Sequence, residues 1–234
     1  MTPLGTIVPS ANWVVEATTI ALLRDVPGVV PVFSRTPVPD GVPDAHDLSN
    51  MLRAAELLAT VRPAGIVWNG SKGGLIGLDH DRDLCARITA ATGIPADTSA
   101  LTLERRLLAR GPVRLGLMTP YDDAYTARLL PAFAGRGWDV AAEDHLGIGE
   151  NLAFAEVPAA EIVAQACRLA SRCDVLLAWC TNYPAALHAR EIEDATGREL
   201  WDATALGVEA LLALASPRPM ARVLHNSSRR PGVP

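Results

Sequence analysis

The sequence predicts an α/β protein built from two pseudo-twofold-related lobes, each a mostly parallel sheet flanked by helices. Three observations carry that prediction. Short apolar runs of three to five residues alternate with longer segments whose apolar residues recur at helical spacing. That alternation is the pattern of parallel strands with helices outside the sheet. The run at residues 64–68 is continuously apolar, as expected of a strand buried on both faces. Third, motifs recur in order. Leu4-Gly5-Thr6-Ile7-Val8-Pro9 returns 111 residues later as Leu115-Gly116-Leu117-Met118-Thr119-Pro120. Ile66-Val67-Trp68-Asn69 returns at the same offset, 111, as Leu177-Ala178-Trp179-Cys180. Ala91-Thr92-Gly93 with Asp97-Thr98-Ser99-Ala100-Leu101 returns after about 105 residues as Ala195-Thr196-Gly197 with Asp202-Ala203-Thr204-Ala205-Leu206. Repeats this long are whole lobes and not solenoid units. The boundaries expected are 1–110, 111–216 and a tail at 217–234, with the last helix free to cross back.

Taken in order, residues 4–8 predict a strand ending at Pro9, and 14–23 a helix. Residues 29–33 predict the second strand. Met51, Leu52, Ala55, Leu58 and Ala59 share helical spacing within 47–62, with Asp47 as N-cap. The third strand is 64–68, and a helix over 80–92 stops at Gly93, a glycine suited to a left-handed C-terminal turn. A short extended piece around Ile94 precedes a helix at 101–110. The second half predicts strands at 114–118, 140–142, 175–179 and 199–201. Its helices fall at 123–136, 158–171, 184–195 (closed by Gly197) and 206–215. Residues 229–234, rich in Pro and Gly, are expected to fray.

Composition narrows the function. The chain has 234 residues, 49% hydrophobic and 20% charged, so it is globular. Aromatics make up 5%, so the core must be aliphatic. A net charge of −5 without a basic cluster argues against nucleic acid. No apolar run reaches the roughly 18–20 residues of a membrane span, and no export signal is evident. Cys85, Cys167, Cys173 and Cys180 form no CxxC pair and are expected as reduced thiols in the cytoplasm. Of these, Cys85, Cys167 and Cys173 read as packing residues on helical segments.

Ligands of open parallel sheets sit at the carboxyl ends of strands. Polar residues stand there: Ser10 and Asn12, then Asn69, Gly70 and Ser71, then Thr119 and Tyr121, then Cys180, Thr181 and Asn182. A pseudo-twofold would set Asn69 opposite Cys180. Asn12 also suits a helix cap, and Asp202 and Thr204, which match Asp97 and Ser99 in the repeat, suit either caps or the cleft. Asn69-Gly70-Ser71-Lys72-Gly73-Gly74 lacks nucleotide-loop spacing, although its N–H groups could cradle a carboxylate and Lys72 could steer an anion. Asp79-His80-Asp81-Arg82-Asp83 reads as acid at a helix start and not as a metal site. His46, His145, His188 and His225 share no motif, and no G-x-S-x-G elbow exists. Trp13, Trp68, Trp179 and Tyr183 near strand ends would favour an apolar or aromatic substituent.

The segments Pro9-Ser10-Ala11-Asn12 with Val15-Glu16, Trp68-Asn69-Gly70-Ser71, Thr119-Pro120-Tyr121, Gly147-Ile148-Gly149-Glu150-Asn151 and Cys180-Thr181-Asn182 carry a resemblance. Together they resemble the aspartate/glutamate racemase superfamily, and within it the branch of maleate cis–trans isomerases and arylmalonate decarboxylases. The resemblance implies two α/β lobes with the active site between them, and neither metal nor organic cofactor. It implies that Asn12, Tyr121 and Asn151 hold carboxylates and that Cys180 is the second-lobe catalytic cysteine. The first-lobe cysteine of the racemases and isomerases is Asn69 here, which has no proton to shuttle. The decarboxylase branch likewise keeps only the second cysteine. There, hydroxyl and backbone donors hold substrate oxyanions and the cysteine protonates a carbanion. Ser71, Tyr121 and the N–H groups near Thr181 and Asn182 fit those donors, while Gly70 stands where that branch supplies a hydroxyl.

The expected function is therefore decarboxylation of a small aryl- or alkylmalonate-type dicarboxylic acid, with Cys180 protonating the carbanion. Asn12, Asn69, Gly70, Ser71, Tyr121, Asn151, Thr181 and Asn182 would hold the substrate. The alternatives are a maleate-type cis–trans isomerase or an amino-acid or hydantoin-type racemase, and a carboxylate binder without turnover. A helix start behind Cys180 would lower the thiol pKa. Homo-oligomerisation stays open.

Overall fold

The computed structural model describes residues 1–37 and 46–216, so the 229–234 segment and His225 lie outside the described residues. The first sheet uses β1 (Thr2–Pro9), β2 (Val29–Thr36), β3 (Ile66–Trp68) and β4 (Ala96–Thr98). Its helices are α1 (Val14–Leu23), α2 (Leu48–Ala59), α3 (Gly73–Ile76), α4 (Leu78–Thr92) and α5 (Ser99–Arg110). The second sheet uses β5 (Leu115–Thr119), β6 (Val140–His145), β7 (Val175–Ala178) and β8 (Glu199–Asp202). It carries α6 (Asp123–Ala134), α7 (Asn151–Phe154), α8 (Ala159–Leu169), α9 (Ala189–Thr196) and α10 (Ala203–Ala215).

Both sheets are parallel throughout, with orders β2-β1-β3-β4 and β6-β5-β7-β8. Adding four to each strand of the first order gives the second. The sequence repeat is thus a repeat of topology. The central strands β1, β3, β5 and β7 are rich in apolar residues and are buried almost throughout. Pro31 sits inside β2, an edge strand, where a missing N–H is tolerated.

Several local predictions match their physical causes. The Asp47 side chain accepts the Asn50 N–H at 3.2 Å and caps α2. Gly93 and Gly197 close α4 and α9 at φ 72° and 64°. Other elements depart from expectation. Residues 184–188 form a 3-10 turn before α9, and 170–172 another after α8. β6 runs on through the polar residues Glu143-Asp144-His145, because Thr119 of β5 still pairs with His145. α5 begins at Ser99, where the Thr98 hydroxyl accepts the Leu101 N–H at 3.1 Å. α10 begins at Ala203, where Asp202 accepts the Thr204 and Ala205 N–H groups.

The two last helices of the repeat cross over. α10 packs Val208, Ala210, Leu211 and Leu212 against Leu4 and Val67 of the first sheet and Leu23 of α1. α5 places Ala100, Leu101 and Leu103 in the core of the second sheet with Leu115 and Leu117. This joins the sheets so that their carboxyl-end loops meet.

Candidate active site

Four strand ends and the start of α7 converge. After β1, the Asn12 side chain does not cap α1, whose N-cap Trp13 makes no side-chain bond. It instead donates to the Thr181 hydroxyl at 2.9 Å. Asn182, after β7, accepts the Val14 N–H at 3.4 Å. Its amide donates to the Asn151 carbonyl at 2.8 Å and the Asn151 side-chain oxygen at 2.9 Å. One amide therefore ties the β1 loop, the β7 loop and the start of α7 together. After β3, the Ser71 hydroxyl lies 2.9 Å from the Tyr121 hydroxyl that follows β5. The Trp179 indole donates to the Ser71 carbonyl at 3.1 Å and fixes that loop against β7. Cys180 completes the group: the Tyr121 side chain and the Asn182 and Tyr183 N–H groups interact with its sulfur.

The electrostatics derive from burial. Burial pushes the Cys180 thiol up to about 12, and the Tyr121, Asn182 and Tyr183 donors offset only part of that. The lowering expected from a helix start is outweighed. The Thr181–Tyr183 turn leads into a short 3-10 turn, not a full α-helix with an aligned dipole. Desolvation also holds the Tyr121 phenol well above its ordinary range, so it stays protonated and can donate. Asp202, at the end of β8, is pushed up to about 7 by burial although it caps α10. Lys72 is half-buried, and desolvation pulls its ammonium pKa down.

The Asn69 side chain makes its hydrogen bonds to Thr204 and Ser99. It is fully buried; its amide N–H donates to the Thr204 carbonyl at 3.1 Å and its oxygen accepts the Ser99 hydroxyl at 3.1 Å. Gly207 of α10 makes room for it, since a Cβ there would lie 2.3 Å from the Asn69 amide nitrogen. Thr204 in turn donates its hydroxyl to the Thr181 carbonyl at 3.4 Å, so the two matched loops share it. Gly70 is required by packing: a Cβ would meet the Trp68 indole at 2.4 Å.

Trp68, Trp179 and Tyr183 are buried, and among these aromatics only Trp13 is half-exposed. Tyr183 donates to Gln165 at 2.7 Å, and Gln165 donates to the Thr119 and Asp144 carbonyls at 3.0 and 2.9 Å. Gln165 thus holds the ends of β5 and β6, a role with no local sequence signal. Asp81, within the acidic run, is fully buried between His46, at 2.6 Å, and the Thr98 hydroxyl. Tyr125 joins the site without a motif of its own. Its ring packs on Tyr121 with centroids 4.0 Å apart, and its only signal is the Tyr121-x-x-x-Tyr125 spacing behind the Asp122 cap.

No helix among the described residues is long and apolar enough to cross a membrane. No curated protein matches the sequence significantly. Among solved structures, the maleate isomerase Iso of Pseudomonas putida is 23% identical and covers 91% of this chain and 92% of its own, with a TM-score of 0.80. A Cys-to-Ser variant of the Nocardia farcinica maleate cis–trans isomerase, with a covalently bound succinylcysteine intermediate, is 21% identical over 91% and 92%, TM-score 0.80. Unliganded arylmalonate decarboxylase is 24% identical over 95% and 96%, TM-score 0.76. These likenesses establish the shared fold. The arylmalonate decarboxylase family profile matches residues 52–224, well over half of the sequence and the span holding β3, β5 and β7 with their loops. The chain is thus an enzyme of the aspartate/glutamate racemase superfamily and belongs to its arylmalonate decarboxylase family.

Proposed function

We propose that the enzyme decarboxylates a small aryl- or alkylmalonate-type dicarboxylic acid without a cofactor, and that Cys180 protonates the product carbanion. One observation carries this reading. The buried Cys180 thiol stands beside the Tyr121 hydroxyl, which pairs with Ser71, while the matched position, Asn69, has its amide committed to Ser99 and Thr204. A racemase or two-thiol isomerase needs acid–base groups on both faces of the substrate.

In the proposed reaction Ser71, Tyr121 and neighbouring backbone N–H groups hold one carboxylate, with Asn12, Asn151, Thr181 and Asn182 shaping the loops around it. The other carboxylate leaves as carbon dioxide. The bonding pair passes to the α-carbon and onto the held carboxylate as an enediolate. Fixed donors stabilise that charge, and losing one donor typically costs about 100-fold or more in rate. The Cys180 thiol then gives its proton to the α-carbon. Even a thiol near 12 is a far stronger acid than the carbon acid it forms. The resulting thiolate takes a proton from water.

The test is carbon dioxide release and deuterium uptake in D2O across arylmalonates, alkylmalonates, maleate and amino-acid dicarboxylates, with Cys180→Ala as control. Carbon dioxide with one deuteron in a single product enantiomer, lost in the variant, is the expected result. Isomerisation or solvent exchange without carbon dioxide would overturn the decarboxylase reading. Binding that survives Cys180→Ala, with no turnover in either protein, would instead show a carboxylate binder.

A further inference from the structure

We propose that Gln165 is a positioning residue for this reaction, holding the turn that carries Cys180 at a fixed place against the arm that carries Tyr121. The inference rests on Cys180 and Tyr121 being at the reacting centre. It goes beyond that reading by assigning work to a side chain that acts through other residues.

Gln165 interrupts an apolar face. On α8 the buried residues are Ile162, Gln165, Ala166 and Leu169, and Gln165 is 0% exposed. Helical spacing puts all four on one stripe. Packing there asks only for an apolar side chain, and an amide buried without partners is costly. This amide is bonded at both ends. Its Nε2 donates to the Thr119 carbonyl at 3.0 Å and the Asp144 carbonyl at 2.9 Å, and its Oε1 accepts the Tyr183 hydroxyl at 2.7 Å. Only one arrangement of protons satisfies this set. Carbonyl oxygens can only accept, so the NH2 end must face them and the Tyr183 phenol must donate. Burial raises the Tyr183 pKa, so the phenol keeps the proton that this bond needs.

Each of the three partners leads to the reacting centre. Thr119 stands two residues before Tyr121, and its carbonyl also accepts the Leu146 N–H at 3.2 Å. The next two N–H groups of that loop, Gly147 and Ile148, donate to the Tyr121 and Pro120 carbonyls at 2.9 and 3.0 Å. Asp144 lies on β6, which feeds the same loop towards Asn151. Tyr183 closes the turn after β7, where its N–H donates to the Cys180 carbonyl at 3.3 Å. A single side chain thus links the chain segments that carry Tyr121, Asn151 and Cys180. The thiol has to reach the α-carbon of a substrate held by Ser71 and Tyr121, and a misplacement of about 1 Å can cost about 100-fold in rate. Without the Tyr183–Gln165 bond the turn is free to shift, while the Tyr121 arm stays tied to α8.

Tyr183→Phe removes that bond alone and leaves the Gln165 amide on both carbonyls. Gln165→Met keeps most of the side-chain volume and removes all three bonds. Both are compared with the parent at a temperature where circular dichroism shows every protein folded. On the best malonate, kcat of Tyr183→Phe should fall about tenfold with KM within about twofold, because the Tyr121 arm still holds the carboxylate. The double variant should be no slower than Gln165→Met, because Tyr183 acts through Gln165. A second arm needs no substrate: iodoacetamide labelling, read by mass spectrometry at each cysteine. Cys180 is 3% exposed and Cys173, in the same core, is 0% exposed, while Cys167 is exposed and gives the reagent's full rate. In both variants Cys180 should label about tenfold faster with Cys173 unchanged, the mark of a local opening and not a general one. Equal acceleration at Cys173 would make Gln165 a packing residue and overturn the proposal. So would unchanged Cys180 labelling, full kcat in Tyr183→Phe, or losses that multiply in the double variant. If the parent turns over no malonate but Cys180 alone labels faster, the assignment of Gln165 to the Cys180 turn stands while the decarboxylase reading falls.

Discussion

The Cys180 thiol shows how burial and local donors compete at one atom. Sequence order places it after a strand and before a helical segment, which favours the thiolate. The fold buries it, and desolvation wins, pushing the thiol up to about 12. Protonation is the form a carbanion-quenching acid requires. A group with a raised pKa keeps its proton until pH rises through that value. The rate kcat/KM should therefore stay level from pH 7.5 to 9.5, with no fall near the ordinary thiol pKa of about 8.5. A basic limb centred there would show a thiol far better solvated than its surroundings allow. Most of this site is legible in the sequence as polar residues just past apolar runs. Asn12, Ser71, Tyr121, Asn151, Thr181 and Asn182 all join the network of loop contacts. Tyr125 is not legible, because its return onto Tyr121 depends on the Asp122 cap. Nor is the commitment of the Asn69 amide, which depends on a helix 135 residues away.

At the scale of elements, period and punctuation reveal the strands and the long helices, since the apolar spacing and the glycine stops are local. The short helices α3 and α7 have too few residues to show a period. The end of β6 and the starts of α5 and α10 escape a reading by apolar period, because pairing and capping there recruit polar residues that resemble loop. The start of α10 has a measurable consequence. Asp202 caps the helix through one oxygen, while its other oxygen is buried without a partner. Burial raises it to about 7, so ionising it above that pH opposes folding. The sign comes from linkage. An unfolded Asp ionises near 3.9, so the folded state binds more protons than the unfolded state between there and about 7. Stability falls as pH rises through that window and is flat above it, by on the order of 4 kcal/mol for a shift of this size. Asp202→Asn retains a capping oxygen and cannot ionise. Urea unfolding should therefore show the variant gaining on the parent from pH 5 to 8. A difference independent of pH would mean that the Asp202 carboxyl is solvated or paired. Other carboxylates cancel, because both proteins carry them.

The whole molecule is held together by an exchange that the repeat foreshadows only in part. A repeat at constant offset predicts two like lobes but says nothing of where each lobe's last helix lies. α10 follows β8 of the second sheet yet buries Val208, Leu211 and Leu212 against the first, while α5 follows β4 of the first and enters the second core. We propose that the lobes 1–110 and 111–216 are structural repeats but not independent folding units. Each of those three aliphatic side chains is worth roughly 1.5–3 kcal/mol when buried. Together they approach the roughly 5–15 kcal/mol of net stability that a folded domain has. A fragment of residues 1–110 exposes the surface that α10 covers. Its complement, 111–216, leaves α10 with nothing to pack on and loses α5. Each fragment should therefore lack cooperative unfolding by circular dichroism, and mixing them should restore it. The intact protein should unfold in one transition, with tryptophan fluorescence and far-ultraviolet signals coincident. Trp68 reports on the first sheet and Trp179 and Trp201 on the second, so separate transitions would be visible if they existed. The exchange also bears on catalysis. The Asn69 amide grips the first turn of α10 at Thr204, and the Thr204 hydroxyl reaches back to the carbonyl beside Cys180. Restored helical signal on mixing should thus coincide with restored turnover, because the helices that join the two cores also join the two sides of the candidate active site.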